Sequence, residues 1–130
     1  MKKTGKILIV DDDKDVLRFL TRFLSEEGYT VLSALNGKIA LSMLKKSKFD
    51  LIMLDVKMPV MDGMEFMEKI ENINLNSMII VMTGEQNHKK DLSLAKHKKV
   101  VDIIYKPYNI NKLRKLIKKA YFEYGKLKKD

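Results

Sequence analysis

The stretch ILIVDDDKDV, residues 7–16, sets four apolar residues directly before four acids in five positions. The chain as a whole is basic, with 26 Lys and Arg against 17 Asp and Glu and a net charge of +9. Packed carboxylates repel and raise each other's pKa. The cluster therefore needs an offsetting cation, or it is a solvated acidic turn. The unalternating apolar run before it marks a strand buried on both faces.

The same grammar repeats along the chain. Lys6–Val10 is a buried strand, and residues 15–28 form an amphipathic helix with Val16, Phe19, Leu20, Phe23 and Leu24 at helical spacing, stopped at Gly28. Residues 29–34 read as a strand, and 36–47 as a helix with Ile39, Ala40, Met43 and Leu44 on one face. Residues 50–55 are a buried strand, 58–63 a loop with Pro59 and Gly63, and 64–73 a helix. A strand over 78–83, a weak helix over 87–96 and a strand over 100–105 come next. From Ile110 a last helix turns Leu113, Leu116, Ile117, Ala120, Tyr121 and Tyr124 inward. Buried strands alternating with amphipathic helices predict an α/β fold, a parallel sheet covered on both faces. Right-handed crossovers make it a doubly wound open sheet, whose site lies outside the carboxyl ends of the strands.

Composition narrows the classes further. With 130 residues, one domain over 1–130 is expected, with a basic tail at 125–130. There is no Cys, so there is no disulfide framework, thiolate metal site or cysteine nucleophile. The apolar run behind Lys2 and Lys3 is too short for a signal peptide, and no stretch reaches membrane-spanning length, so a cytoplasmic protein is expected.

The residues at the strand ends carry the chemistry. Asp11, Asp12 and Asp13 come after the first strand, Asp55 ends the third, Thr83 and Gly84 close the fourth, and Lys106 and Pro107 come after the fifth. Carboxylates from two neighbouring strands form an oxygen cage for a hard divalent cation, Mg²⁺ or Mn²⁺. Asp55, tethered to a buried strand, suits a positioned nucleophile. A phosphoryl group on it would carry nearly two negative charges. The Thr83 hydroxyl and the Lys106 ammonium are the groups to stabilise those oxygens, and Lys106 is expected to pair with Asp55 beforehand.

The elements ILIVDDD, DLIMLDVKMPVMDG, IIVMTG and YKPY, in this order, resemble the receiver domain of two-component response regulators. The resemblance covers roughly Lys6 to Tyr124. It implies a flavodoxin-like five-stranded parallel sheet of order 2-1-3-4-5 with five helices. It places the acidic pair on Asp11 and Asp12, the phosphoacceptor on Asp55, the switch hydroxyl on Thr83 and the lysine on Lys106. The Lys57 backbone carbonyl becomes the third protein metal ligand, and Lys106–Pro107 the family's cis peptide. The implied function is that of a stand-alone receiver. It takes a phosphoryl group from the phosphohistidine of a sensor kinase or phosphotransferase, then switches partner binding or relays the phosphate. It is a signalling protein and not an enzyme acting on a diffusible substrate, and is either a monomer or a phosphorylation-dependent dimer.

Some positions depart from the family. Ile103 stands where an aromatic switch residue is usual, and Tyr105 points to the other side of the strand from Lys106. Lys99 and Val100 replace a common Gly-Ala, Gly84 replaces a common alanine, and the segment between Thr83 and Lys106 is about one residue longer than usual. Lys57 and Glu85 occupy the positions that tune dephosphorylation.

Rival readings are weaker. An EF-hand would need Gly at Val16 and Glu at Arg22, and a haloacid-dehalogenase phosphatase would need Thr or Val at Asp15. Asp13 reads as a loop acid, Asp15 as the first helix's N-cap, and Asn36 and Asp62 as turn or cap residues. His88 and His97 read as surface residues, and Met61 and Met64 as candidates for exposure near the site. The basic residues Lys112, Arg114, Lys115, Lys118, Lys119, Lys126, Lys128 and Lys129 lack the motifs of a DNA reader, so an acidic protein target is expected ahead of DNA. The alternative class is a pseudo-receiver, a constitutive protein- or DNA-binding module.

Overall fold

In the computed structural model, residues 5–56, 61, 63–71, 73, 76–84, 97, 99–107 and 109–129 are described. Five strands match the apolar runs: β1 (Lys6–Val10), β2 (Thr30–Ala34), β3 (Leu51–Asp55), β4 (Met78–Thr83) and β5 (Val100–Tyr105). All pair in parallel, in the order β2-β1-β3-β4-β5. Among the described residues there are four helices: α1 (Lys14–Glu26), α2 (Gly37–Lys46), α3 (Gly63–Ile70) and α4 (Ile110–Lys129). The helix expected over 87–96 lies outside the described residues. The basic residues expected as a tail from 125 continue α4 through Lys129.

Alternate strand residues face opposite ways, so the central strands feed two separate cores. Leu8, Val10, Ile52, Leu54, Ile79 and Val81 pack with Ala40 and Leu44 of α2 and Phe66, Met67 and Ile70 of α3. Ile7, Ile9, Met53, Ile80 and Met82 pack with Leu17, Leu20 and Leu24 of α1 and with Leu113, Leu116, Ile117 and Ala120 of α4. This is why β1, β3 and β4 read as unbroken apolar runs. The edge strand β2 is half exposed and reads mixed.

Two helix faces are rotated from expectation. On α1 the buried residues are Leu17, Leu20 and Leu24, while Phe19 is 49% exposed and stacks on Phe23. On α2, Ala40 and Leu44 are buried and Ile39 faces outward. Apolar residues exceeded the stripe the sheet covers, and spacing alone does not choose among neighbouring stripes. Gly28 lies just beyond α1 with φ 102, a conformation that glycine adopts without a Cβ clash.

The pairing of β4 with β5 shifts register. Ile79 faces Val100 but Ile80 faces Asp102, so β5 holds one extra residue there. Because side chains alternate, a one-residue slip moves a strand's residues to the opposite face. Past the shift, Ile103 packs against the α2–α3 side and Ile104 against the α1–α4 side, and Tyr105 lies opposite Thr83.

Candidate functional site

The carboxyl ends of β1, β3, β4 and β5 form one edge, laced by backbone hydrogen bonds. Asp11 N–H donates to the Ala34 carbonyl at 3.1 Å, Val56 N–H to Met82 at 3.1 Å, and Lys106 N–H to Thr83 at 2.8 Å. Since β1 and β3 are adjacent, Asp11, Asp12 and Asp55 converge. Each offers a carboxylate oxygen within 4.8 Å of the others. Asp11 is fully buried, Asp55 is 6% exposed and Asp12 is open to solvent.

Lys106 supplies the counter-charge. Its Nζ donates to Asp11 Oδ2 at 2.9 Å and lies 3.7 Å from Asp55 Oδ2. The expected partner was Asp55, but the shorter contact goes to Asp11, the more deeply buried acid. Burial acts on Lys106 to lower its pKa. The hydrogen bond to Asp11 and the charges of Asp55, Asp11 and Asp13 outweigh it, so the pKa is raised above 10.5. The ammonium therefore stays charged, which answers the repulsion posed by residues 11–15. The Lys106–Pro107 peptide is cis. Thr83 ends β4 and is buried at the same edge.

Other expected residues fall differently. Ile103, in the usual aromatic position, is partly buried against the α2–α3 core, and Tyr105, two residues on, takes the same side of β5. Lys57, Glu85, Asp62 and His88 lie outside the described residues. Met61 is buried, with Gly37 of α2 leaving room for its thioether, and is not an exposed docking residue. His97 is mostly buried and contacts Glu71 at 3.2 Å.

Sequence reasoning misplaced one acid. Asp13, read as a loop residue, is the N-cap of α1, its Oδ1 accepting from the Asp15 and Val16 amides at 2.9 and 3.3 Å. Asp15 sits instead in the first turn, where its charge suits the helix dipole and meets Arg18 at 3.4 Å. The missed signal was the helix start: α1 begins at Lys14, so the cap is one residue before it. Asp11 Oδ1 in turn accepts from Asp13 N–H at 3.0 Å, tying this buried carboxylate to the helix cap. Asp13→Ala should lower unfolding free energy by about 1 kcal/mol, the usual cost of a lost cap, read from urea titration. The set Asp11, Asp12 and Asp55 stays intact in that variant.

The donor set fits a hard divalent cation: oxygen ligands, two buried carboxylates and one open side for water. Among the described residues no helix is long and apolar enough to cross a membrane.

Comparison with known proteins agrees. The family described as "Response regulator receiver domain" matches residues 7–118. Sporulation initiation phosphotransferase F of Bacillus subtilis is 36% identical over 119 residues, covering 88% of this chain and 91% of that protein. Transcriptional regulatory protein GlrR of Escherichia coli is 31% identical over 118 residues, covering 91% of this chain but only 26% of its own length. Response regulator TrrA of Thermotoga maritima, solved in complex with Mg²⁺-BeF, superposes with a TM-score of 0.78 at 32% identity over 92% of this chain and 99% of that one. A CheY-like receiver domain protein from Methanospirillum hungatei superposes at 0.87 with 30% identity, over 95% of this chain and 98% of that one. With its sheet order, its strand-end acids and this match over most of its length, the chain belongs to the response regulator receiver domain family.

Proposed function

We propose that this chain accepts a phosphoryl group on Asp55 from the phosphohistidine of a partner kinase or phosphotransferase, in a reaction that needs Mg²⁺ or Mn²⁺. The observation that carries the reading is the convergence of Asp11, Asp12 and Asp55 within 4.8 Å, with Lys106 reaching two of them. Asp11, Asp12, Asp55 and, by family resemblance, the Lys57 carbonyl would hold the metal. The metal, when bound, supplies positive charge for the phosphoryl oxygens.

The chain's own groups do the rest. An Asp55 oxygen bonds to phosphorus as the donor's P–N bond breaks, and the imidazole nitrogen keeps the electron pair and takes up a proton. Lys106, already 3.7 Å from Asp55 Oδ2, pairs with the new phosphoryl oxygens. The Thr83 hydroxyl, on the strand beside β3, donates to another. Its displacement shifts a pre-existing equilibrium between two surfaces. Ile103 in place of an aromatic residue leaves Thr83 as the main moving part. Lys57 and Glu85 tune the lifetime of the acyl phosphate. The switched surface meets a downstream protein target, acidic and not DNA, in a cytoplasmic setting, or the phosphate passes on to a second histidine. The relay reading is supported by similarity to a protein named as a phosphotransferase. The chain acts as a signalling phosphoacceptor, monomeric or dimerising when phosphorylated, and not as an enzyme of a diffusible substrate.

Incubation with acetyl phosphate and MgCl₂ should add the mass of one phosphoryl group to the intact protein. EDTA should prevent the gain. A folded protein that gains nothing in Mg²⁺ would sink the reading.

A further inference from the structure

The start of α2 is tied to the strand-end edge at two places. The first tie is through β2, which leads into the helix. The Ala34 carbonyl, at the end of β2, accepts from Asp11 N–H at 3.1 Å. Asn36 then caps α2, its Oδ1 accepting from Ile39 N–H at 2.9 Å and its carbonyl from Ala40 N–H at 3.1 Å. A cap of this kind fixes where the first helical residue sits. That residue is Gly37, and it is buried.

The second tie is at Gly37 itself. Among the described residues, Gly28 is the glycine with a positive φ, so Gly37 is not glycine for the sake of its backbone. Alanine would also make the better helix. What excludes a side chain is Met61. A methyl group on Gly37 would lie 3.0 Å from Met61 Sδ and 3.2 Å from its Cβ and Cγ. These approaches are inside the optimal separation of nonbonded carbons. The sulfur could swing aside, but Cβ is bonded to the main chain, so relief would move residue 61 itself. Gly37 is therefore a seat for Met61, which is buried in the core that also holds Ala34, Ala40, Val56 and Phe66. Val56 is held as well, its N–H donating to the Met82 carbonyl at 3.1 Å. In the sequence, four residues, 57–60, join Val56 to Met61.

We propose that Met61, seated on Gly37, is a positioning residue for the divalent cation. It holds the far end of residues 57–60, so that the Lys57 carbonyl is presented to the cation that Asp11, Asp12 and Asp55 bind. This rests on the reading of those four residues as metal ligands. A backbone carbonyl has no rotamer to adjust, and its direction is set by the dihedrals beside it. In so short a connection those dihedrals depend on both ends. With the far end released, the connection samples more conformers, and the cation must order it on binding at a cost in affinity. The same helix start is tied to the Asp11 amide through Ala34, so ligands at the ends of two different strands are referred to one element.

The test separates metal affinity from stability. Mn²⁺ is titrated into the whole protein and the free ion read by electron paramagnetic resonance, with MgCl₂ as competitor. Urea unfolding in EDTA reads stability without metal. Gly37→Ala should keep a urea midpoint close to that of wild type, since helix propensity offsets the crowding, yet bind Mn²⁺ several-fold more weakly. Met61→Ala should bind it about tenfold more weakly. Met61→Leu, which keeps the volume, should bind as wild type does. Gly37→Ala combined with Met61→Ala should weaken binding no further than Met61→Ala alone, because both remove one contact. The phosphoryl mass gain from acetyl phosphate should fall in Gly37→Ala at low MgCl₂ and recover when MgCl₂ saturates, because Asp55 and Lys106 are untouched. If Met61→Ala does not fold, Gly37→Ala and Met61→Leu decide the matter. A wild type that binds the metal beside a Gly37→Ala protein that binds it equally well would overturn the proposal and leave the role of Asp55 standing. Additive losses in the double variant would also overturn it, assigning Met61 to general packing. A wild type that binds neither ion and gains no phosphoryl group would overturn both readings.

Discussion

Asp55→Asn should abolish the Mg²⁺-dependent phosphoryl mass gain, leaving less than about 1% of the wild-type rate. Asn matches the carboxylate in shape but offers no anionic nucleophile. No neighbour can take over easily. Asp11 is fully buried, and its two oxygens already accept from Lys106 and from Asp13 N–H. Asp12 is open to solvent and lacks a lysine contact among the described residues. The substitution also removes one of the crowded carboxylates, so the variant should stay folded. An unchanged thermal melt would show that lost acceptance reflects lost chemistry. Persistent phosphorylation at the wild-type rate would move the acceptor elsewhere.

Lys106→Met should produce the largest change in stability. Met keeps the apolar stem but removes the ammonium held 2.9 Å from Asp11 and 3.7 Å from Asp55. Stripping the cation from a buried carboxylate costs about 3 kcal/mol or more. The side chain is 24% exposed, so solvent recovers some of this, and about 3 kcal/mol at pH 7 is the expected loss. Added MgCl₂ should restore more stability to the variant than to the wild type, because a bound cation replaces the missing charge. Because the Lys106 pKa is raised in the folded state, its contribution is complete below 10.5 and fades as pH climbs through the raised value. Wild type should therefore lose stability above that pH, and the variant should lack this limb. Urea titrations across pH would check each point. A variant as stable as wild type at pH 7 without metal would refute the counter-charge role.

Much of the architecture was legible because strands and helices obey different periods. KILIV, LIMLD and MIIVMT are apolar on both faces, and only a strand sandwiched between helix layers can bury both. Each run stops at a polar residue, so the composition of the strand-end edge could be read before any coordinates. The faces of α1 and α2 were less legible. Phe19 and Ile39 fit the helical period as well as Leu17 does, and burial went to the residues that the sheet reached. The cap of α1 shifted from Asp15 to Asp13 because several acids in a row all suit a helix start, and only the backbone path selects one.

By itself the sequence determined the alternation, the parallel sheet and the cast of Asp11, Asp12, Asp55, Thr83 and Lys106. Local chemistry suffices for these, since apolar runs, helical spacing and strand-end polar residues are properties of short segments. The tertiary structure alone decided that Lys106 bonds Asp11 more closely than Asp55, across 95 residues of chain. It also decided that one extra residue in β5 sets Ile103 against the α2–α3 core, and that α4 leaves Lys112, Lys115, Lys118, Lys119 and Phe122 exposed together. The reason is common to all three. Partners distant in sequence are chosen by strand order and register, which arise from how the whole sheet buries its two faces.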